Sequence, residues 1–237
     1  MRRILISGAS RGIGQAIALK LHKEGHFISL GVREKKSLIN TPLDPKLNNS
    51  KNFVVHKYDA NDKITSKEWV ESTVKTFKSI DTIIHCAGIF KRTNLIFNDD
   101  EIQDIENIWK VNVMGPWILT KDAWKYLSMS DSGRIIVLVS MSGKRSKGSF
   151  ASYSMSKFAL MSLCQTMRNE GWEHGIRVTA ICPGWVNTDM AKDINNFPKE
   201  DMTQTKDIAN ICSTLLELPN SSVPFELALN CQHETKI

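Results

Sequence analysis

A doubly wound α/β fold, a parallel sheet with helices on both faces, is predicted by three features of the sequence. Short apolar runs alternate with longer stretches of helical period from the first residues onward. The short runs are apolar throughout rather than alternating in polarity, as strands covered on both faces must be. A glycine-rich turn separates the first apolar run from the first helical stretch.

Each element follows in order. Ile4-Leu5-Ile6 reads as a buried strand, and Gly12 to Glu24 as a helix with Ile13, Ile17 and Leu21 on one face, ended by Gly25. Phe27 to Val32 is the second strand. Residues 37–51 carry two prolines and three asparagines, so mostly loop is expected there in place of a helix. Phe53-Val54-Val55 is the third strand, and Ser66 to Phe77 a helix capped by Thr65 or Ser66. Asp81 to His85 is the fourth strand. One long helix is expected from about Asp100 to Leu127. Within it Pro116 has no N–H, which deprives the Asn112 carbonyl of its helical partner and predicts a kink. Arg134 to Ser140, Arg177 to Cys182 and Phe225 to Leu229 are three further strands, about seven in all. Ala151 to Glu173 and Lys206 to Leu218 are the remaining helices. No repeat, linker or low-complexity tract interrupts the series, so residues 1–237 are expected to form a single domain.

Composition narrows the function. The chain is 41% hydrophobic and 24% charged over 237 residues, enough to bury a core without disulfides or metals. No apolar run approaches the roughly 18 residues of a membrane span, and Met1 to Ile6 is too short for a signal peptide. A cytoplasmic protein without a membrane partner is expected. The five cysteines, at 86, 164, 182, 212 and 231, are odd in number and far apart, and the six histidines form no ligand pair, so no metal is expected. The net charge is +6, and residues 1–58 hold 11 Lys/Arg against 3 Asp/Glu. These charges are scattered without interleaved aromatics, which favours a solvated face over a nucleic-acid partner.

The turn Ser7-Gly8-Ala9-Ser10-Arg11-Gly12-Ile13-Gly14 joins strand to helix with the spacing G-x-x-x-G-x-G. Glycines here let the backbone approach a pyrophosphate at a helix N-terminus. The second strand ends Val32-Arg33-Glu34. Val32 offers no carboxylate to a ribose hydroxyl, whereas Arg33 and Arg11 suit a 2′-phosphate dianion. NADP(H) is therefore expected over NAD(H), with Glu34 the residue that argues the other way.

Tyr153 and Lys157 are four apart and share one helix face. A neighbouring ammonium favours the phenolate, which fits the pair for proton transfer. Ser140, at the carboxyl end of the fifth strand, is placed to bond a substrate oxygen beside the tyrosine; Ser142 is the alternative, one step further out. Asn112 adds an independent clue, since a kink would aim its freed carbonyl at water or a nearby lysine.

These motifs resemble the short-chain dehydrogenase/reductase family, in its NADP-dependent branch. Residues 7–14 are similar to its T-G-x-x-x-G-x-G turn with Ser7 for Thr, and Asp59 matches its acidic residue after the third strand. Ser140, Tyr153, Lys157 and Asn112 match its catalytic tetrad, and Pro183-Gly184 with Thr188 match its nicotinamide turn. The resemblance runs over residues 1 to about 190. It implies a Rossmann-type sheet and hydride transfer between a nicotinamide and a small-molecule carbonyl or alcohol. Ser140 would polarise the carbonyl, Tyr153 would donate the proton, Lys157 would hold the ribose and lower the tyrosine pKa, and Asn112 would anchor a water relay. The implied cofactor contacts are Gly8, Ser10, Arg11, Gly12, Ile13 and Gly14, then Arg33, Asp59 and Ala60. Cys86, Ala87 and Gly88 follow, then Tyr153 and Lys157 themselves, and last Pro183, Gly184, Val186 and Thr188.

Two places depart from the family pattern. His85-Cys86-Ala87-Gly88 replaces N-N-A-G, with Cys86 read as a small packed side chain. Leu227 to His233 lacks the V-D-G-G ending that often serves tetramer contacts; a homo-oligomer, dimer or tetramer, is still expected. Phe90, Met141, Phe150, Trp185 and Met190 are expected to line a partly apolar substrate pocket, with residues 189–204 as a short, polar lid. Lys144, Arg145 and Lys147 form a basic cluster beside Ser140, either a solvated loop or an attractor of an acidic substrate or phosphopantetheine carrier. Other roles left open are a non-catalytic NADP(H)-sensing regulator or scaffold, an alcohol dehydrogenase working oxidatively, and a 3-oxoacyl-thioester reductase.

Overall fold

The computed structural model describes residues 1–48, 50–192 and 198–232. Seven strands form one sheet: β1 (Arg3–Ser7), β2 (Phe27–Val32), β3 (Phe53–Lys57), β4 (Thr82–His85), β5 (Arg134–Leu138), β6 (Arg177–Pro183) and β7 (Glu226–Leu229). Their order is β3-β2-β1-β4-β5-β6-β7, and every neighbouring pair is parallel. The order reverses between β1 and β4. Doubly wound sheets leave a crevice at the carboxyl ends of such strands, because the chain departs to opposite faces on either side.

The helices are α1 (Gly12–Lys23), α2 (Lys63–Phe77), α3 (Ile102–Trp109), α4 (Gly115–Ser128), α5 (Ala151–Gly171) and α6 (Thr205–Glu217). Side chains alternate across β1: Ile4 and Ile6 pack with Ile17, Leu21, Ile208 and Cys212 of α1 and α6. Leu5 faces the other way, with Trp69 of α2, Leu119 and Ala123 of α4 and Leu160 of α5. Helices cover both faces of the sheet, which explains why the strands carry no polar face. No helix among the described residues is long and apolar enough to cross a membrane.

Two elements differ from expectation. α2 begins at Lys63, three residues before Ser66, because Asp62 is its cap and accepts the Ile64 N–H at 2.9 Å. Thr65 is occupied otherwise, its hydroxyl oxygen accepting the Asp59 N–H at 3.0 Å and so fixing the turn after β3. The expected long helix is divided. A π turn over Lys110–Met114 separates α3 from α4, and Gly115-Pro116 open α4. The missing proline N–H thus leads to a widened turn, and proline falls in the first turn of the next helix, where it is tolerated.

Candidate active site

The phosphate turn is closed by contacts that demand glycine. Gly8 has φ +69°, and a β-carbon on it would lie 2.7 Å from the Ala87 backbone. One on Gly14 would lie 2.4 Å from the Gly8 carbonyl oxygen. The Ser7 hydroxyl accepts the N–H groups of Cys86 and Ala87, each at 3.2 Å, and so ties the ends of β1 and β4 together. The first turn of α1 contains no acidic side chain, so no carboxylate of the helix itself competes with an anion at its positive end.

A groove of about 230 Å³ opens beside this turn. Gly8, Ser10, Arg11, Gly12, Ile13, Gly14, Arg33, Asp59, Ala60, Cys86, Ala87, Gly88 and Thr188 all line it. Reading the sequence missed Asn61, Ile89, Asn107 and Val111, which also line it and belong to no repeated motif. Asp189 was missed as well; its carboxylate meets Arg11 at 3.2 Å.

The groove continues into a cavity of about 160 Å³, the two sharing Ile13, Cys86, Gly88, Thr188 and Met190. Ser140, Tyr153, Lys157, Pro183, Gly184 and Val186 line this second part, as do Phe90, Met141, Phe150 and Trp185. Every residue expected in the substrate pocket is therefore present. Of the expected lid, residues 193–197 lie outside the described residues. Phe90 stands edge-on to Tyr153 at 5.0 Å and to Phe150 at 5.1 Å, and Phe150 edge-on to Trp185 at 6.4 Å. The loop carrying Phe90 is pinned to the start of α5 by Thr93, whose hydroxyl pairs with that of Ser152 at 2.7 Å.

Ser140 lies two residues past β5, with φ +151° and ψ 157°. This backbone region is nearly reserved for glycine, and a residue held in it stores about 1–3 kcal/mol. The Ser140 oxygen accepts the Ser142 N–H at 3.0 Å, which turns the chain and places Ser142 behind it. Lys157, buried on α5, donates to the Leu138 carbonyl at 3.0 Å. Asn112 is fully buried in the π turn. Its amide oxygen accepts the Ile89 N–H at 2.9 Å, and its amide nitrogen donates to the Ile89 carbonyl and the Ser156 hydroxyl, each at 3.0 Å. Ser156 in turn donates to the Tyr153 carbonyl at 2.7 Å. The Asn112 side chain, rather than its main-chain carbonyl, is what the fold employs.

Electrostatics follow from burial. Lys157 is lowered from 10.5 to about 8 because its ammonium is poorly solvated. Tyr153 is raised to about 12, again by burial, with the Ser140 hydrogen bond opposing the rise. The expected lowering of Tyr153 by Lys157 is absent; the ammonium nitrogen stands 5.7 Å from the ring centre, and burial prevails. Burial also pushes the Cys86 thiol well up, so it packs as a neutral group.

The model of the short chain dehydrogenase family matches residues 2–199. Agropine synthesis reductase of Rhizobium rhizogenes is 36% identical over 98% of this chain and 53% of its own length. The chain thus spans about half the length of that relative. The 3-oxoacyl-[acyl-carrier-protein] reductase FabG of Rickettsia bellii is 31% identical over 92% of this chain and 90% of its own. The structure of an alcohol dehydrogenase from Thermococcus sibiricus, complexed with 5-hydroxy-NADP, superposes with a TM-score of 0.82 at 27% identity, covering 97% and 96% of the two chains. Fold, ordered motifs and family match agree: the chain belongs to the short-chain dehydrogenase family.

Proposed function

We propose that the protein is an NADP(H)-dependent reductase that transfers hydride to the carbonyl of a small-molecule substrate, the reverse oxidation being the same chemistry. The convergence of Ser140, Tyr153 and Lys157 on one cavity, continuous with the groove of the phosphate turn, carries this reading. The close-packed glycines and a first turn of α1 without an acidic side chain fit a dinucleotide. Arg11 and Arg33 both line the groove while Glu34 does not, which supports the 2′-phosphorylated cofactor. The Thermococcus sibiricus relative, solved with 5-hydroxy-NADP, supports it too.

A bound reduced nicotinamide would supply the hydride. Ser140 donates a hydrogen bond to the carbonyl oxygen, and Tyr153, protonated throughout the physiological range, delivers the proton to it. Lys157 at neutral pH is an ammonium that holds the cofactor ribose. Asn112 fixes the turn after β4 against α5 and so sets the position of Tyr153. Gly88 lies against both: a β-carbon there would lie 3.4 Å from the Asn112 amide oxygen and 3.8 Å from the Lys157 nitrogen.

Assembly as a homo-oligomer is part of this reading, supported by Trp117 of α4 and Met155 and Phe158 of α5, all exposed. The free thiols of Cys86, Cys164, Cys182 and Cys212 support a reducing, cytoplasmic location. A regulator without turnover is disfavoured because the chain retains Asn112, Ser140, Tyr153 and Lys157 together.

The test is NADPH consumption with aldehydes, ketones, quinones and 3-oxoacyl thioesters. Tyr153→Phe is expected to abolish turnover and leave NADPH binding largely intact; near-wild-type turnover would refute the assignment. NADPH is expected to bind more tightly than NADH, and equal or tighter NADH binding would refute the cofactor choice.

A further inference from the structure

The helix that carries Tyr153 and Lys157 has no cap of its own: Phe150 stands at the N-cap of α5 and offers no side-chain acceptor. The first N–H groups of a helix lack partners within it and must find them elsewhere. Two of those of α5 are taken up by a single residue of another loop, Thr93, which follows β4. The Ala151 N–H donates to the Thr93 carbonyl and the Ser152 N–H to the Thr93 hydroxyl oxygen, each at 3.0 Å. The Thr93 N–H donates to the Ser149 carbonyl at 3.0 Å, and Thr93 pairs with Phe150 in an isolated parallel bridge. The hydroxyls of Thr93 and Ser152, 2.7 Å apart, complete the joint. Thr93 is 2% exposed, which shields these bonds from competing water.

Phe90, three residues before Thr93, meets the ring of Tyr153, which follows Ser152 directly. On the other side of Phe90, Ile89 is held by Asn112, whose tie runs through Ser156 to the Tyr153 carbonyl. The loop after β4 therefore grips α5 on both sides of Phe90. Lys157 is fixed separately, on the Leu138 carbonyl. We propose that Thr93 is a positioning residue: it caps α5 from the neighbouring loop and so sets Tyr153 in register with Phe90 at the wall of the cavity. A small displacement of a reacting group costs turnover steeply. The proposal rests on the reductase reading of the same site and adds the residue that aims its proton donor.

The test compares Thr93→Val, which keeps the shape and removes the hydroxyl, with Thr93→Ser, which keeps the hydroxyl. Each protein is labelled with fluorotyrosine and followed by fluorine NMR, the Tyr153 resonance being identified by its absence in Tyr153→Phe. In Thr93→Val that resonance is expected to move while those of Tyr58 and Tyr126 hold, and in Thr93→Ser to return. With NADPH and the carbonyl of the panel above that is reduced fastest, kcat is expected to fall about tenfold or more in Thr93→Val. Thr93→Ser is expected to recover most of it. NADPH affinity is expected to stay near wild type in both, because Lys157 is held independently. An unmoved Tyr153 resonance in Thr93→Val overturns the proposal, as does a kcat that survives the substitution. Movement of all three resonances together overturns it as well. Ser152→Ala, which removes only the paired hydroxyl, tests the same joint should Thr93→Val not fold; a Tyr153 resonance that stays in place there overturns the proposal. If the wild-type protein reduces no carbonyl of the panel, the reductase reading falls. The fluorine resonance then still decides the positional assignment: a shift in Thr93→Val reversed in Thr93→Ser supports it, and no shift overturns it.

Discussion

Arg11 and Asp189 form an ion pair at 3.2 Å that joins the phosphate turn to the segment after β6, with side chains 73% and 72% exposed. The guanidinium read as a phosphate ligand is thus shared with a carboxylate at the edge of the same groove. On the proposed cofactor reading, a 2′-phosphate would compete with Asp189 for it. Asp189→Asn is expected to tighten NADPH about two- to fivefold, the scale of an exposed pair, and to leave NADH unchanged. Fluorescence titration with both cofactors checks this, and weaker NADPH binding would show that Asp189 orients Arg11 rather than occupying it.

Lys157 predicts a pH dependence of cofactor binding. Its pKa of about 8 lies below the ordinary 10.5, so the folded protein loses this ammonium as pH rises from 7 to 9. NADPH affinity is expected to fall through that interval, and Lys157→Met is expected to bind weakly with a flat profile. Dissociation constants at half-unit steps of pH decide it; a wild-type profile flat to pH 9.5 would remove Lys157 from cofactor binding.

Asn112 makes three hydrogen bonds while fully buried. Asn112→Ala leaves both polar groups of Ile89 without this partner, a loss of about 2–4 kcal/mol. The urea midpoint is expected to fall accordingly, and kcat to fall with it because the tie through Ser156 to Tyr153 is lost. Unchanged stability with reduced kcat would instead place Asn112 in the chemistry alone.

His85 is wholly buried at the end of β4, with Nε2 paired to the Thr120 hydroxyl at 2.9 Å and its pKa depressed to about 3 from 6.5. The unfolded chain therefore takes up a proton below pH 6.5 that the folded chain refuses. The stability contribution is complete above pH 6.5 and is lost as pH falls toward 3. At pH 5 the loss is about 2 kcal/mol. His85→Asn is expected to flatten the fall in unfolding free energy between pH 7 and 5 by that amount, measured by urea denaturation at each pH.

The parallel sheet was legible because burial on both faces makes the strands run apolar without alternation, as in Ile4-Leu5-Ile6 and the stretch Ile135 to Leu138. That the turn, Ser140, Tyr153 and Lys157 meet at one edge of the sheet was legible, because strand ends and a four-residue helical spacing fix where each one falls. The start of α2 was not, since Asp62, Thr65 and Ser66 are all good caps and only the bond from Asp59 to Thr65 decides among them. The π turn was legible as a disturbance at Asn112, but its form depends on packing: a β-carbon on Gly115 would lie 2.7 Å from Ala60, which brings the start of α4 against the segment after β3. The Tyr153 pKa was misjudged because spacing reports a neighbouring charge and is silent about burial.

Ser140 gives the molecule conflicting evolutionary incentives. Glycine at this position would relax the φ +151° backbone and raise stability by up to about 1–3 kcal/mol, yet it would remove the hydroxyl on which the proposed reaction depends. Lineages screened for heat resistance alone should drift toward glycine at 140, and lineages screened for turnover should hold serine. Thermostability gained elsewhere in the chain then becomes the condition on which the serine is kept.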